Sequence, residues 1–284
     1  MSLEITHVGV LGAGAMGHGI AHVSAMAGYT TQLFDLSMPL ANAGLEKIRK
    51  NLDVGVEKKK VTPAARDAAM GRLSAVDSLA VLGGCQLIIE AIPEKLELKQ
   101  QTFAELSKVC GPDTILASNT SSLSVTEIAA AATRPERVLG MHFFNPVHLM
   151  KLLELVRAYQ TSDATLAAAR AFGEKIGKEM VVVKDSPGFA STRLGVAVGL
   201  EAIRMLEEGV ASAEDIDRAM ELGYGFPMGP LKLGDLVGLD IRLNIAEYLY
   251  QELGSPTFRP PQLLKRMVRA GKLGRKTGQG FYTY

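Results

Sequence analysis

HVGVLGAGAMG, residues 7–17, is the stretch that decides the fold. His7 to Leu11 form a short run with two β-branched valines, which predicts a strand. Gly12 begins a glycine-rich turn into a helical pattern. Gly12 allows the tight turn, Gly14 lets a pyrophosphate approach the backbone, and Gly17 lets the helix pack closely on the strand. The helix N-terminus offers unpaired N–H groups and partial positive charge to phosphates. We therefore predict a dinucleotide site at Gly12, Ala13, Gly14, Ala15, Met16 and Gly17.

A second strand-like run, residues 30–34, ends at Asp35, about twenty residues after the glycines. A carboxylate at this position can accept hydrogen bonds from the adenosine ribose hydroxyls, and it would repel a 2′-phosphate. Asp35 therefore favours NAD over NADP. The alternative is an ordinary strand-to-helix turn followed by a solvated aspartate. The agreement of spacing and context favours the dinucleotide site.

Composition excludes several other classes of protein. The 284 residues are enough for two domains, and the 31 basic and 30 acidic residues are well mixed, which argues against a nucleic-acid-binding face. Cys85 and Cys110 have no metal-ligand spacing, so we expect no metal site and a reducing compartment. No apolar run approaches the roughly 18 residues of a membrane span, and no signal segment precedes the first strand. We expect a cytoplasmic protein that binds neither nucleic acid nor membrane.

Strand-like and helical segments alternate over residues 1–184, which predicts an α/β domain with a Rossmann-type, doubly wound, mostly parallel sheet. The pattern includes a helical excursion, with helices expected over residues 39–52 and 64–73. Strand-like runs stop after that first domain, and residues 185–284 are predicted to form an all-α second domain. One of its helices is expected over residues 231–253.

Polar residues at predicted strand ends indicate the chemistry, because ligands of open α/β sheets bind beyond the carboxyl ends of the strands. Such residues are Glu94, Ser121, His142 and Asn145. An imidazole, whose ordinary pKa is about 6.5, can take and return the proton of a secondary alcohol. The following strand could run back antiparallel, and its Glu154 could then reach His142 and orient the imidazole.

The remaining histidines are weaker candidates. His18 and His22 lie on the helix after the glycines, where we interpret them as covering the sheet. His148 follows Pro146 in a loop that could be near the site.

Several motifs follow one another in order along the chain: GAGAMG (12–17), SNTSS (118–122), HFFNP (142–146), DSPGF (185–189), GFPMGP (225–230) and KTGQGFY (276–282). Together they resemble the short-chain L-3-hydroxyacyl-CoA dehydrogenases, including the bacterial 3-hydroxybutyryl-CoA dehydrogenases. The resemblance covers essentially the whole chain.

This resemblance implies an NAD-binding Rossmann domain, a helical C-terminal domain that forms a homodimer, and an acyl-CoA substrate held between the two domains. It implies NAD-dependent oxidation of a short-chain (3S)-3-hydroxyacyl-CoA, with His142 as general base, Glu154 as its orienting carboxylate, and Ser121 bound to the reacting oxygen. Asn145 would lie near the nicotinamide and the substrate. Further cofactor positions would be Glu94, Lys99 and Lys276, and Lys50 and Lys58 would meet the CoA end of the substrate.

One position departs from the family. The family usually has Asn shortly after the Pro-Gly-Phe motif, whereas this chain has Thr192 there. A hydroxyl can donate one hydrogen bond but lacks the paired donors of an amide. Thr192 could hold the substrate with altered geometry, or Ser191 or a water molecule could replace it. Two other functions stay open at this stage: a dehydrogenase of free 3-hydroxy acids, and a non-catalytic, crystallin-like NAD-binding protein.

Overall fold

The computed structural model describes residues 4–284 and divides between Asp185 and Ser186 into two compact units. The boundary expected from composition lies one residue earlier, after residue 184. Each unit has its own hydrophobic core. No helix of the described residues is long and apolar enough to cross a membrane.

The first unit is built on one sheet of eight strands, counted over the described residues, in the order β3-β2-β1-β4-β5-β6-β7-β8. The strands are β1 (His7–Leu11), β2 (Thr30–Phe34), β3 (Leu73–Val76), β4 (Leu87–Glu90), β5 (Ile115–Ser118), β6 (Val138–Phe143), β7 (Leu152–Arg157) and β8 (Glu179–Lys184). All neighbouring strands are parallel except β6 and β7. The predicted doubly wound, mostly parallel sheet is confirmed.

Helices pack against this sheet because its central strands are buried along their whole length, as parallel strands covered on both faces are. The helices of the first unit are α1 (Gly17–Met26), α2 (Met38–Glu57), α3 (Pro63–Met70), α4 (Leu96–Val109), α5 (Val125–Ala130) and α6 (Asp163–Lys175). The core includes Val8 and Val10 of β1 and Ile20 of α1, all fully buried.

The expected helix over residues 64–73 is wrong at its C-terminal end. Helix α3 ends at Met70, and Leu73–Val76 form strand β3, which pairs in parallel with β2 at the sheet edge. The residues of β3 are too few to show a strand period, so its conformation is decided by hydrogen bonds to β2. Helix α2 also extends five residues beyond its expected end at Leu52, to Glu57.

The second unit is helical, as predicted. Its helices are α7 (Ser191–Glu207), α8 (Ala213–Tyr224), α9 (Pro230–Val237), α10 (Leu239–Leu253) and α11 (Gln262–Arg269). The single helix expected over residues 231–253 is two helices, because Gly238 adopts φ 106°, a conformation that breaks the helix and that other residues rarely adopt. Leu200, Leu231, Leu239 and Leu249 form part of the core of this unit.

Candidate active site

The glycine-rich turn has two crowded positions and one open position. Gly12 has φ 91°, and a Cβ atom there would lie 2.7 Å from the carbonyl oxygen of Ala91. A Cβ at Gly17 would collide with the carbonyl oxygen of Gly12. A Cβ at Gly14 would meet no atom within 4 Å. Packing thus explains the first and last glycines, whereas Gly14 leaves the backbone open to an approaching pyrophosphate.

Asp35 is tied to this turn at the end of β2. Its Oδ2 accepts the N–H of Ala13 at 2.8 Å, and its Oδ1 accepts the N–H of Leu36 at 2.7 Å. These bonds fix the carboxylate beside the turn, and each oxygen retains a further lone pair for a ribose hydroxyl. The turn and the carboxylate together fit an NAD molecule, whose pyrophosphate would meet Gly14 and whose adenosine ribose would meet Asp35.

His142 and Glu154 face each other across β6 and β7, where the two strands run antiparallel. The Nδ1 atom of His142 lies 2.7 Å from Oε2 of Glu154, and both side chains are buried. The buried carboxylate holds the imidazole in one orientation and would stabilise its protonated form. With Nδ1 bound to Glu154, Nε2 is the ring nitrogen through which a proton would be exchanged.

Ser121 lies in a loop beyond the carboxyl end of β5, which we name the serine loop (residues 118–122). The carboxylate of Glu94 holds this loop: its Oε1 accepts the backbone N–H of Ser121 at 2.9 Å and the hydroxyl of Thr120 at 2.5 Å. The loop is also linked to β6, because the side-chain oxygen of Asn119 accepts the N–H of Phe143 at 2.8 Å. Ser121 therefore lies beyond the carboxyl end of β5, and His142 lies one residue before the end of the adjacent parallel strand β6.

A buried ion-pair network lies beneath the serine loop. The Nζ atom of Lys99 lies 2.6 Å from Oε1 of Glu90 and 3.2 Å from Oε2 of Glu94. The Lys99 and Glu90 side chains are only 1% and 0% exposed. Glu90 Oε2 also accepts the hydroxyl of Ser118 at 2.7 Å. Lys99 thus bridges two carboxylates that both contact the serine loop, Glu90 through Ser118 and Glu94 through Thr120 and Ser121.

Sequence reasoning missed the part played by Glu90. The available signal was a carboxylate inside an otherwise apolar parallel strand, where a buried charge requires a partner. Lys99, nine residues later, is that partner. The resemblance gave Lys99 only as a cofactor-contacting position.

Asn145 is exposed in the turn that follows β6. Two site positions expected from the resemblance lie in the second unit. Lys276 donates from Nζ to both carboxylate oxygens of Asp240 at 2.6 Å, and Thr192 is half-buried in the first turn of α7.

A cleft of about 570 Å³ lies within the first unit. We name it the basic cleft. Its lining residues come from α1, the end of α2, the turn after β6 and the end of α6: His22, Val23, Met26, Ala27, Asn51, Val54, Gly55, Lys58, Lys60, Val61, His148, Leu149, Lys175, Ile176 and Gly177. Lys58 lines the cleft, whereas Lys50 is exposed on α2. No carboxylate occurs among these lining residues.

Comparison with known proteins identifies the family. Residues 7–186 match the NAD-binding domain of the 3-hydroxyacyl-CoA dehydrogenases, and residues 188–284 match their C-terminal domain. The chain belongs to the 3-hydroxyacyl-CoA dehydrogenase family. This result confirms the resemblance inferred from the motifs, and it makes the first unit an NAD-binding domain.

Three relatives are similar to this chain over nearly their full length. The chain is 47% identical to a 3-hydroxybutyryl-CoA dehydrogenase of Bradyrhizobium diazoefficiens, covering 100% of this chain and 97% of that protein. It is 43% identical to the (S)-3-hydroxybutyryl-CoA dehydrogenase of Ralstonia eutropha, whose crystal structure superposes with a TM-score of 0.96 over 99% of each chain. FadB2 of Mycobacterium tuberculosis gives the same TM-score of 0.96 at 47% identity, over 99% of this chain and 100% of that one.

Proposed function

We propose that this 3-hydroxyacyl-CoA dehydrogenase interconverts (3S)-3-hydroxybutyryl-CoA and acetoacetyl-CoA with NAD. The observation that carries the proposal is the buried pair of His142 on β6 and Glu154 on β7, with Nδ1 and Oε2 2.7 Å apart. The names of the relatives support the short acyl chain.

His142 acts as the general base in oxidation. Its Nε2 takes the proton of the C3 hydroxyl, and Glu154 stabilises the imidazolium that forms. NAD, when bound, supplies the acceptor for the hydride that leaves C3. Ser121 donates a hydrogen bond to the C3 oxygen, and Asn145 positions the reacting groups. In reduction the protonated His142 returns its proton to the C3 oxygen.

A spectrophotometric assay tests this function. We expect NADH oxidation with acetoacetyl-CoA and little with free acetoacetate, and we expect the H142Q variant to lose about 10²- to 10⁴-fold in kcat with unchanged NADH affinity. Near-normal turnover by H142Q would refute the catalytic assignment. A series of 3-ketoacyl-CoA substrates of increasing length, each with NADH and NADPH, defines the acyl-chain preference and the cofactor preference.

The two alternatives give different results in the same assay. A free 3-hydroxy acid dehydrogenase would turn over acetoacetate but not its CoA thioester. A non-catalytic, crystallin-like protein would bind NADH without turnover. The buried His142–Glu154 pair favours a catalytic protein over the non-catalytic alternative. The names of the relatives favour a CoA thioester over a free acid.

We assign the CoA portion of the substrate to the basic cleft. Lys58 is one of three lysines that line it, with Lys60 and Lys175, and this charge suits the phosphates of CoA. Lys50, exposed on α2, would contribute charge at longer range. We further propose that Thr192 contacts the acyl portion and that Lys276 contacts the cofactor. Residues 1–184 would form the NAD-binding domain and residues 185–284 the substrate and dimerisation domain.

A homodimer formed through the second unit belongs to the same proposal. Leu194, Phe226 and Leu233 are exposed apolar residues around a cavity of about 130 Å³. The buried guanidinium of Arg242 also lines this cavity, and its Nε has no hydrogen-bond partner among the described residues. A second copy would cover the apolar residues and could supply an acceptor. Sedimentation equilibrium of the wild type and the L194E variant tests the homodimer.

A cytoplasmic location is also proposed. It is supported by the two cysteines, which are both free thiols. Fractionation of the source cells tests this location.

A further inference from the structure

Two stacked imidazoles form part of the wall of the basic cleft. His22 projects from α1 and His148 from the turn after β6, with ring centroids 5.2 Å apart and an interplanar angle of 20°. His22 is only 6% exposed, and its Nδ1 has no hydrogen-bond partner among the described residues. Both residues line the cleft.

The turn that carries His148 is held in place from two sides. The buried ammonium of Lys178 donates to the carbonyl oxygens of Val147 and Met150, the latter at 2.6 Å. On the other side α1 approaches the turn so closely that a Cβ atom at Gly19 would lie 2.8 Å from Cβ of Val147. The position of the His148 ring is thus set by packing before any ligand arrives.

Basic groups surround the imidazole pair, and no carboxylate lines the cleft among the described residues. His18 on α1 and Lys178, which immediately precedes β8, act on both rings. The same cleft is lined by Lys175 at the end of α6 and by Lys58 and Lys60 after α2. The lysine ammonium groups give the cleft a positive charge, which an anion that enters it would offset.

Burial and the neighbouring basic groups lower the pKa of both rings in the unliganded protein. Burial is the main cause that lowers the pKa of His22 to about 4, with further contributions from His148, His18 and Lys178. Burial, followed by His18 and Lys178, also lowers the pKa of His148. An anion in the cleft would favour the charged form and raise the pKa of the ring that it contacts. His148 is that ring, because it is more exposed than His22.

We propose that His148, backed by His22, is a phosphate-binding residue of the basic cleft and takes up one proton from solvent when the CoA portion of the substrate binds. This inference rests on the proposed function, since it takes a CoA thioester as substrate. Linkage gives the direction in which CoA affinity depends on pH. A group whose pKa is higher in the complex than in the free protein strengthens binding at low pH, and this gain in affinity is lost as the pH rises through the raised pKa. A rise of one pKa unit changes affinity by at most about tenfold.

Calorimetric titration with free coenzyme A tests proton uptake directly. The binding enthalpy is measured near pH 6.5 in buffers of different ionisation enthalpy, and its slope gives the number of protons taken up. We expect net uptake by the wild type, none by H148Q, and wild-type uptake by H7Q, a matched substitution at the exposed start of β1. Equal uptake by the wild type and H148Q would overturn the inference.

Kinetics separate this inference from the proposed function. For acetoacetyl-CoA, the KM of the wild type should rise by several-fold, and at most about tenfold, from pH 6 to pH 8. The KM of H148Q should stay flat. The N-acetylcysteamine thioester of acetoacetate lacks every phosphate of CoA, so the wild-type KM for this substrate should not rise between pH 6 and pH 8.

If the KM values for both thioesters show the same pH dependence, the inference is wrong even though the dehydrogenase function stands. If neither is turned over, the proposed function fails, and the calorimetric slope still decides the role of His148.

Discussion

Replacing Lys99 with Met would remove the cation that bridges Glu90 and Glu94 beneath the serine loop. Met preserves the length and most of the apolar surface of the lysine stem, so the change is mainly one of charge. Glu90, 0% exposed, would lose its partner at 2.6 Å and remain buried. Removing one partner of a buried pair typically costs about 3–5 kcal/mol. Because the carboxylate keeps hydrogen bonds from Ser118 and the N–H of Ile92, we expect the lower end, about 3 kcal/mol.

Differential scanning calorimetry measures this cost. For a unit of this size, about 3 kcal/mol corresponds to a fall in Tm of about 6–12 °C in the transition of the first unit. The matched control is K95M, because Lys95 is exposed four residues earlier. Surface changes of this kind usually alter stability by no more than about 0.5 kcal/mol.

The K99M variant should also lower kcat, because Glu94 loses the cation that helps it hold the N–H of Ser121. The double variant E90Q/K99M should recover part of the lost stability, because it leaves no unpaired buried charge. A Tm of K99M equal to that of K95M would refute the reasoning.

Three further substitutions test the candidate site. E154Q should lower kcat by about 10²-fold or more with little effect on NADH affinity, because the amide cannot stabilise the imidazolium of His142. The control is E179Q, at an exposed glutamate, and equal rates for the two variants would contradict the assignment. G12A should weaken NADH binding and lower Tm, because residue 12 has φ 91° and its new Cβ would lie 2.7 Å from the carbonyl oxygen of Ala91. Fluorescence titration measures NADH binding, and wild-type affinity in G12A would contradict the role of this turn in binding the cofactor. D35A should raise the kcat/KM ratio for NADPH over NADH, because the carboxylate that repels a 2′-phosphate is removed; an unchanged ratio would count against its role.

The arrangement of the first unit was largely predictable because its signals are local. Strands β1 and β2 match their predicted bounds, since each is a short apolar run between a turn and a helix. The contact of His142 with Glu154 was also predictable, because the Asn145-Pro146 turn between two strand-like runs implied an antiparallel return. Strand β3 was missed, since its four residues are extended only because β2 lies beside them.

The amino-acid sequence by itself predicted the dinucleotide turn, NAD as the cofactor and the histidine–carboxylate pair, because each depends on residue types at a fixed short spacing. Only the tertiary structure decided what surrounds them. Lys99 joins Glu90 and Glu94 because α4 packs back on the sheet, and His22 meets His148 because α1 and the turn after β6 approach each other at Gly19. These pairs join residues from separate elements, and their contacts depend on burial and close packing, which no local pattern of residues encodes.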